Sequence, residues 1–323
     1  MTQLSIKHVF RVITFLIFFA LAGCGDNPGS QNSQTLNLKF VTGPQGGSWY
    51  PLGGSIKALV EQRHPDIKFQ VLPGAGIANV KAIESGKAQI GLANSVSTVD
   101  GLEGRAPFTE KAHNICNIAT LYPQYFQVIT LPEANIKTPR DLRGKALTGQ
   151  QKGNTGEAIT GHLLAAYEIT LDDLSRVSYG SYTDSVTLMK DGNADFYTLG
   201  TTIPAGSVMD LASARQIELL EIPDDGIEKM QTYNPGYRKG IIPKGTYPNQ
   251  SKDIQTIVFA THLAARCDLA EDTVYDVLDS IFSGLSELES ITVAFKGLTK
   301  EKMAADISVP MHPGARRWYD EHH

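Results

Sequence analysis

The chain has 323 residues, 41% apolar and 20% charged, with 29 Lys and Arg against 34 Asp and Glu for a formal charge of −5. That length accommodates two domains, each with its own core, and the composition is that of a globular chain. No basic run and no interleaving of basic with aromatic residues occurs, which argues against a nucleic-acid partner.

Taken in order, residues 1–23 read as a targeting segment, outside the fold. Lys7 and Arg11 give a basic start, Val12 to Ala20 is an apolar run too short to span a bilayer comfortably, and Leu21-Ala22-Gly23-Cys24 follows. Small residues just before a cysteine resemble a bacterial lipobox. Cleavage and lipidation at Cys24 then leave a protein tethered outside the cytoplasm, periplasmic or at the cell surface. The mature chain carries 27 basic and 34 acidic residues, or −7. Residues 24–35, rich in Ser, Asn, Gln and Gly, read as a flexible tether.

A strand at Leu38 to Val41 runs into the loop Thr42 to Pro51, and a helix with Leu52, Ile56, Leu59 and Val60 on one face runs out of it. A glycine loop ahead of a helix start suits an anion. The first N–H groups of a helix have no partner within it and carry the positive end of its dipole. A second strand, Phe69 to Leu72, ends in Pro73-Gly74-Ala75-Gly76, a helix through Val80 and Ile83 ends at Gly86, and a third strand, Ala88 to Ala93, delivers Asn94 and Ser95. Position 79 is Asn, so the dinucleotide glycine fingerprint is not met.

A shift of 106 residues repeats this plan: Val41-Thr42-Gly43 falls on Leu147-Thr148-Gly149, Gly47 on Gly153, Gly74 on Gly180, Val80 on Val186, Gly86 on Gly192 and Ser95 on Thr201. The second copy has a strand Lys145 to Thr148, a glycine loop Gly149 to Gly156, a helix with Ile159, Leu163, Leu164 and Tyr167, and strands at Arg176 to Tyr179 and Asp195 to Leu199. Two α/β lobes of this kind present helix N-termini and strand carboxyl ends, where open α/β sheets bind ligands. Tyr125 to Leu131 reads as a strand leaving the first lobe and Lys239 to Pro243 as the return, a two-strand hinge. The stretch from Asp253 onward reads as mostly helical, packing back on the first lobe.

Besides Cys24 there are only Cys116 and Cys267. Their distance in space is not given by the sequence, and two separate buried thiols are the favoured expectation over a disulfide. No C-x-x-C or His-x-His spacing occurs, so neither metal nor cofactor is expected.

With these residues in view, the chain resembles the solute receptors of TRAP transporters, in the TAXI subfamily. Four stretches carry the resemblance: Thr42 to Gly54 with Gly-Gly-Ser-Trp-Tyr-Pro-Leu-Gly-Gly, Ala82 to Ser95, Ile136 to Lys145, and Met311 to Tyr319 with His312-Pro313-Gly314-Ala315. The chain departs from the family where Gly153-Asn154-Thr155-Gly156 and Thr202-Ile203-Pro204-Ala205 replace a Gly-Ser-Gly-Thr-like and a Gly-x-Pro-Asn-like run. The resemblance implies a type II periplasmic binding protein: an α/β fold of two lobes, a ligand cleft between them and a two-strand hinge. Lobe I spans 36–128, lobe II 129–240, and 241–323 returns to lobe I. It also implies capture of a small organic acid, with glutamate-like or 2-oxoglutarate-like dicarboxylates favoured, and delivery to a TRAP membrane permease. A monomer is expected.

Candidate ligand contacts are Gly47, Ser48, Trp49 and Tyr50 on one side and Gly153, Asn154, Thr155 and Gly156 on the other. Asn94, Ser95, Thr201 and Thr202 stand at strand ends, and Tyr122 precedes a proline near the hinge. Trp49 and Tyr122 equally suit core packing. Arg105, Lys152 and Arg238 read as surface charges and His312 as a turn-former. No G-x-S-x-G, S-x-x-K or H-E-x-x-H occurs, which counts against a secreted hydrolase. A binding module that reports to a sensor kinase or serves another transporter shares the same fold and pocket.

Overall fold

The computed structural model describes residues 35–44 and 47–322. The expected leader, Cys24 as the expected lipidation site, nearly all of the expected tether and two residues of the first glycine loop lie outside the described residues. The first half runs β1 (Leu36–Val41), α1 (Trp49–Arg63), β2 (Ile67–Leu72), α2 (Gly76–Glu84), β3 (Ile90–Asn94) and α3 (Ser95–Glu103). A long strand, β4 (Cys116–Thr130), leads to β5 (Ala146–Gln150), α4 (Thr155–Ala166), β6 (Arg176–Gly180), α5 (Tyr182–Lys190), β7 (Phe196–Thr201) and α6 (Gly206–Ala214). After β8 (Glu218–Leu219), α7 (Asp224–Tyr233) and β9 (Arg238–Ile242), the strand β10 (Ile254–Ala265) returns the chain. It ends in α8 (Glu271–Ser283), α9 (Leu285–Ile291), α10 (Lys300–Met303) and α11 (Pro313–Glu321).

Among the described residues the ten strands form one mixed sheet of order β2-β1-β3-β10-β4-β7-β5-β6, with β8 on β4 and β9 on β10. The order reads alike from either edge, which is the internal repeat in space. β1 pairs in parallel with β2 and β3, as β5 does with β6 and β7. α1 and α4 begin 106 residues apart, and so do α2 and α5. Only the first strand of each half is offset by one residue more. Val41 stands opposite Leu72 and Gly91, whereas Thr148 stands opposite Ser178 and Tyr197.

The apolar face expected of α1 is buried as Leu52, Ile56, Leu59 and Val60, in one core with Phe40, Leu92, Ile281 and Trp318. Each such side chain contributes about 1.5–3 kcal/mol by leaving water. Val274, Val277 and Leu278 of α8 join that core, so the C-terminal helices do pack on the first half. The second half has apolar clusters of its own, around Leu147, Ile159 and Phe196 on one face and Ile129, Tyr197 and Leu211 on the other.

Two expectations are corrected here. Residues 254–265 form a strand, not a helix. β10 is buried along nearly all its length, so alternation vanishes and its apolar residues fit a helical spacing by accident. Ile254, Thr256, Ile257, Val258 and Thr261 are β-branched, and that preference prevails. The return crossing is therefore β10, which pairs with β3 at one end and β9 at the other. Residues 238–242 are its edge partner instead, Ile242 facing Ile254. β4 crosses in the opposite sense, pairing with β10 from Cys116 and with β7 through Thr130.

Cys116 and Cys267 are not separate thiols: they form a disulfide with Cα atoms 5.1 Å apart. It lies where Cys116 of β4 faces Ala265 of β10, a pairing between positions 151 residues apart that local patterning does not reveal.

His262 on β10 is fully buried, its Nε2 2.8 Å from Thr98 Oγ1 and its Nδ1 3.1 Å from Asn117 Oδ1. Burial pushes its pKa down to about 3 from an ordinary 6.5. Below pH 6.5 the unfolded chain therefore binds a proton that the folded chain does not, and stability is lost as pH falls toward 3. The slope is about 1.4 kcal/mol per pH unit. Urea unfolding at pH 7, 6 and 5 should show this acid loss, and His262→Gln should shrink it.

Candidate functional site

The strand carboxyl ends of both halves meet at one small cavity. Its walls are four helix starts. Ser48 and Trp49 open α1, Ala75 and Gly76 open α2, Asn154 precedes α4 and Tyr182 begins α5. Asn94 ends β3, Gly200 and Thr201 end β7, and Gln124 of β4 forms the floor, with Pro44 and Gly47 completing the lining. The repeat organises this lining. Under the shift of 106 residues Ser48 falls on Asn154, Gly76 on Tyr182 and Asn94 on Gly200.

Among the described residues none in the lining carries a charge. Positive potential comes instead from the helix starts, whose first N–H groups lack intrahelical partners. Asn154 caps α4, its Oδ1 accepting from Gly156 N at 3.0 Å. Gln124 is buried at the centre, with its amide oriented so that the oxygen accepts from Trp49 Nε1 (3.0 Å) and Thr261 Oγ1 (2.6 Å) while the nitrogen donates to Gly200 O (3.1 Å). A single side chain thereby ties α1 to β7. Tyr182 Oη accepts from Gln150 Nε2 at 2.5 Å, and Gln150 Oε1 accepts from Gly200 N at 3.3 Å. Burial pushes the Tyr182 phenol up to about 12, against the opposing hydrogen bonds from Thr201 and Gln150. It is neutral at physiological pH and available as a donor.

The two walls nearly touch. About 20 Å³ is open to the centre of a water molecule, little more than the roughly 10–15 Å³ that one water needs. Asn94 Nδ2 donates to Thr155 Oγ1 at 2.8 Å, Ser97 Oγ lies 2.8 Å from the same oxygen, and Ala78 N donates to Gly153 O at 3.2 Å. Asn94 Oδ1 is buried without a hydrogen-bond partner. It is an unpaired acceptor on a residue that lines the cavity.

Of the residues expected at the site, Gly47, Ser48, Trp49, Asn94, Asn154 and Thr201 line the cavity. Gly153 and Thr155 hold the walls together across it, and Gly156 packs where a Cβ would fall 1.7 Å from Gln150 Oε1. The others lie elsewhere. Tyr50 is 38% exposed on α1, outside the lining. Tyr122 is core, edge-on to Phe295 with ring centres 5.4 Å apart. Ser95 turns to the other face, its Oγ accepting from Ala260 N at 3.1 Å, and Thr202 follows the last lining residue half-buried.

Pro44, Gln124, Tyr182, Ala75, Gly76 and Gly200 were not among the expected contacts. Tyr182 is the repeat partner of Gly76 and was legible by extending the shift. Gln124, on a crossing strand with no counterpart in the pattern, gave no signal.

Arg105 pairs with Asp100 at 2.7 Å, Lys152 lies over the Tyr179 ring and Arg238 is exposed, so none of the three reaches the cavity. His312 caps α11, its Nδ1 accepting from Gly314 N at 3.1 Å, the turn-forming role expected of it. Among the described residues no cluster of His, Cys, Asp and Glu is placed to hold a metal, and no helix is long and apolar enough to cross a membrane.

Residues 40–322 match the NMT1-like family. The chain belongs to the NMT1-like family. Solved structures similar to this NMT1-like protein have the periplasmic binding protein fold. The alkanesulfonate-binding protein SsuA from Xanthomonas axonopodis pv. citri, bound to MOPS, is 16% identical, with TM-score 0.50 over 89% of this chain and 84% of its own. A structure described with glutathione import via GshT and the cystine ABC importer TcyBC of Streptococcus mutans is 12% identical, with TM-score 0.52 over 84% of this chain and 100% of its own. XAC2383 from Xanthomonas citri, bound to ATP, is 11% identical, with TM-score 0.51 over 88% and 94%. At such identities the likeness concerns the fold: an α/β protein of two halves joined by crossing strands. The match reaches the family; the TAXI subfamily is a finer reading.

Proposed function

We propose that this NMT1-like protein is an extracytoplasmic solute receptor that captures a small organic anion between its two halves and presents it to a membrane permease. The observation that carries this is the convergence of four helix starts, two from each half, on one uncharged cavity. A charge-assisted hydrogen bond contributes about 1.5–3 kcal/mol, and micromolar binding needs about 8 kcal/mol. Several N–H and O–H donors therefore suffice without a buried cation. A ligand touching both walls favours the closed form and shifts an existing equilibrium between open and closed. The orphaned Asn94 Oδ1 favours a ligand that also carries a donor, glutamate-like rather than 2-oxoglutarate-like. Among the described residues the lining has no histidine, cysteine or carboxylate to activate Ser48, which supports a binder over a hydrolase.

The test is a thermal-shift screen of glutamate, glutamine, 2-oxoglutarate, succinate, malate and monocarboxylates. A ligand at a hundred times its Kd adds about 2.7 kcal/mol of stability, so one acid should raise Tm with dose. Ser48→Ala and Thr155→Ala should each weaken that acid's binding by about three- to ten-fold, one hydrogen bond's worth. Affinity unchanged in both variants would remove the two-walled pocket.

The four sequence stretches favour a TRAP permease as partner. An ABC importer is the second reading, favoured by the importer named with the Streptococcus mutans relative. Uptake that stops when the sodium gradient collapses supports the first, and uptake that stops with ATP depletion supports the second. The disulfide suits an oxidising compartment, consistent with a mature protein lipidated on Cys24. Cys24→Ala should then move the protein from the membrane fraction to the soluble one. We assign the hinge to β4 and β10, with residues near 36–128 and the C-terminal helices as one lobe, and a monomer as the working state.

A further inference from the structure

A second and larger cavity, of about 580 Å³, lies behind the crossing strands. Successive strand residues point to opposite faces, and β4 divides accordingly: Gln124 faces the cleft and Pro123 the rear cavity. Pro123, Val258 and Ala260, which share a face in the β4–β10 register, form its floor. One side wall is Gly236 and Arg238, the other Ala305 and Ile307. The first wall is carried mainly by the second half, with Asn234 Nδ2 reaching across to Val96 O and Asp100 Oδ2 of α3, and the other by the first half. Arg238 pairs with Val258 in the β9–β10 ladder and Tyr237 lies in the second half's core, whereas Met303 and Ala304 pack in the first half's core.

The chemistry of the rear cavity is unlike that of the cleft. Its floor is apolar, and its charged residues, Glu103, Asp306, Arg238 and Lys302, are all exposed and balanced in sign. Balanced rim charges give no net pull on an ion. The volume falls within the range of about 300–1,000 Å³ typical of small-molecule sites.

We infer that the rear cavity is a second ligand site, for a neutral apolar molecule of one or two rings, and that filling it favours closure of the cleft on the other face. The halves pivot about β4 and β10. Walls on opposite sides of a pivot move in opposite senses, so opening the cleft brings Gly236 toward Ala305 and shrinks the rear cavity. A molecule seated there resists that movement and holds the cleft closed, and by linkage the cleft ligand strengthens its binding in return. The coupling rests on the closure proposed above; the site itself does not.

N-phenyl-1-naphthylamine, a neutral aromatic that brightens in apolar surroundings, is the probe. Titrated into the full-length protein, it should bind saturably one to one. Ala305→Trp, at the exposed rim, and Ile307→Glu should each weaken it at least ten-fold. In small-angle scattering, saturating probe should lower the radius of gyration of the unsubstituted protein and leave that of Ala305→Trp unchanged. No saturable binding, or binding indifferent to both substitutions, overturns the site; so does binding weakened by Ser48→Ala alone, which places the probe in the cleft. Saturable rear binding with an unchanged radius of gyration overturns the coupling. Intact rear binding beside a flat organic-acid screen faults only the receptor reading.

Discussion

Gly76→Ala is expected to leave the protein folded and to weaken ligand capture ten-fold or more. Gly76 opens α2 in the first half, and a Cβ there would lie 2.0 Å from Thr155 Oγ1 at the start of α4 in the second. The helix itself tolerates alanine well. The closer clash exists only when the walls meet, so most of its cost falls on the closed state; a second approach, 2.9 Å to Asn94 Nδ2 in the same half, is relieved by a shift of that side chain. Overpacking a filled site costs about 1–3 kcal/mol, and every 1.4 kcal/mol is a factor of ten in affinity. Calorimetric titration with the acid found by thermal shift should show the loss, while urea unfolding without ligand shows little change. Adding Thr155→Ala removes the offending oxygen and should recover part of the affinity even though it sacrifices the contacts to Asn94 and Ser97. A Gly76→Ala protein that binds at full strength would mean that capture does not need these walls to meet.

Breaking the disulfide should have the largest effect on stability. Cys116 and Cys267 join the start of β4 to the end of β10 across a separation of 151 residues. A cross-link closing so long a loop restricts the unfolded chain, and typical bridges contribute about 2–4 kcal/mol. Cys116→Ser with Cys267→Ser should lower unfolding free energy by that amount and leave ligand affinity within two-fold, because the bridge is remote from the cavity lining. Urea unfolding of the oxidised, reduced and doubly substituted forms checks this. Equal midpoints in all three would mean that the strand ladder alone holds the crossing.

Much of this architecture is legible in the amino-acid sequence, for a physical reason. Both halves solve the same burial problem, so Gly74 and Gly180, Val80 and Val186, and Gly86 and Gly192 recur at one spacing, and the helices of the two halves start in step. The cavity follows partly from that repeat, since Ser48 and Asn154 occupy matching helix starts. What the sequence hides is non-local. Cys116 meets Cys267 only because β4 and β10 run side by side. β10 looks helical because burial on both faces erases the alternation that marks a strand. Gln124 looks like any polar strand residue until Trp49, Thr261 and Gly200 surround it. Tyr50, read as a contact because it follows the glycines, turns outward because the first turn of α1 buries Trp49 and Leu52.

The uncharged lining also governs how the ligand arrives. The chain carries a net charge of −5, so the organic anion proposed as ligand would be repelled at long range, and among the described residues none in the lining supplies a cation to draw it in. Attraction begins only within a few ångströms, where the helix starts act, because end-of-helix fields fade within a turn. Encounter is therefore unassisted by steering and is quickened by salt, which screens the repulsion over about 10 Å at 0.1 M. Dissociation, set inside the closed cavity where ions do not reach, is indifferent to salt. A receptor of the proposed kind would hold its ligand rather than fish for it, with its affinity residing in the off-rate.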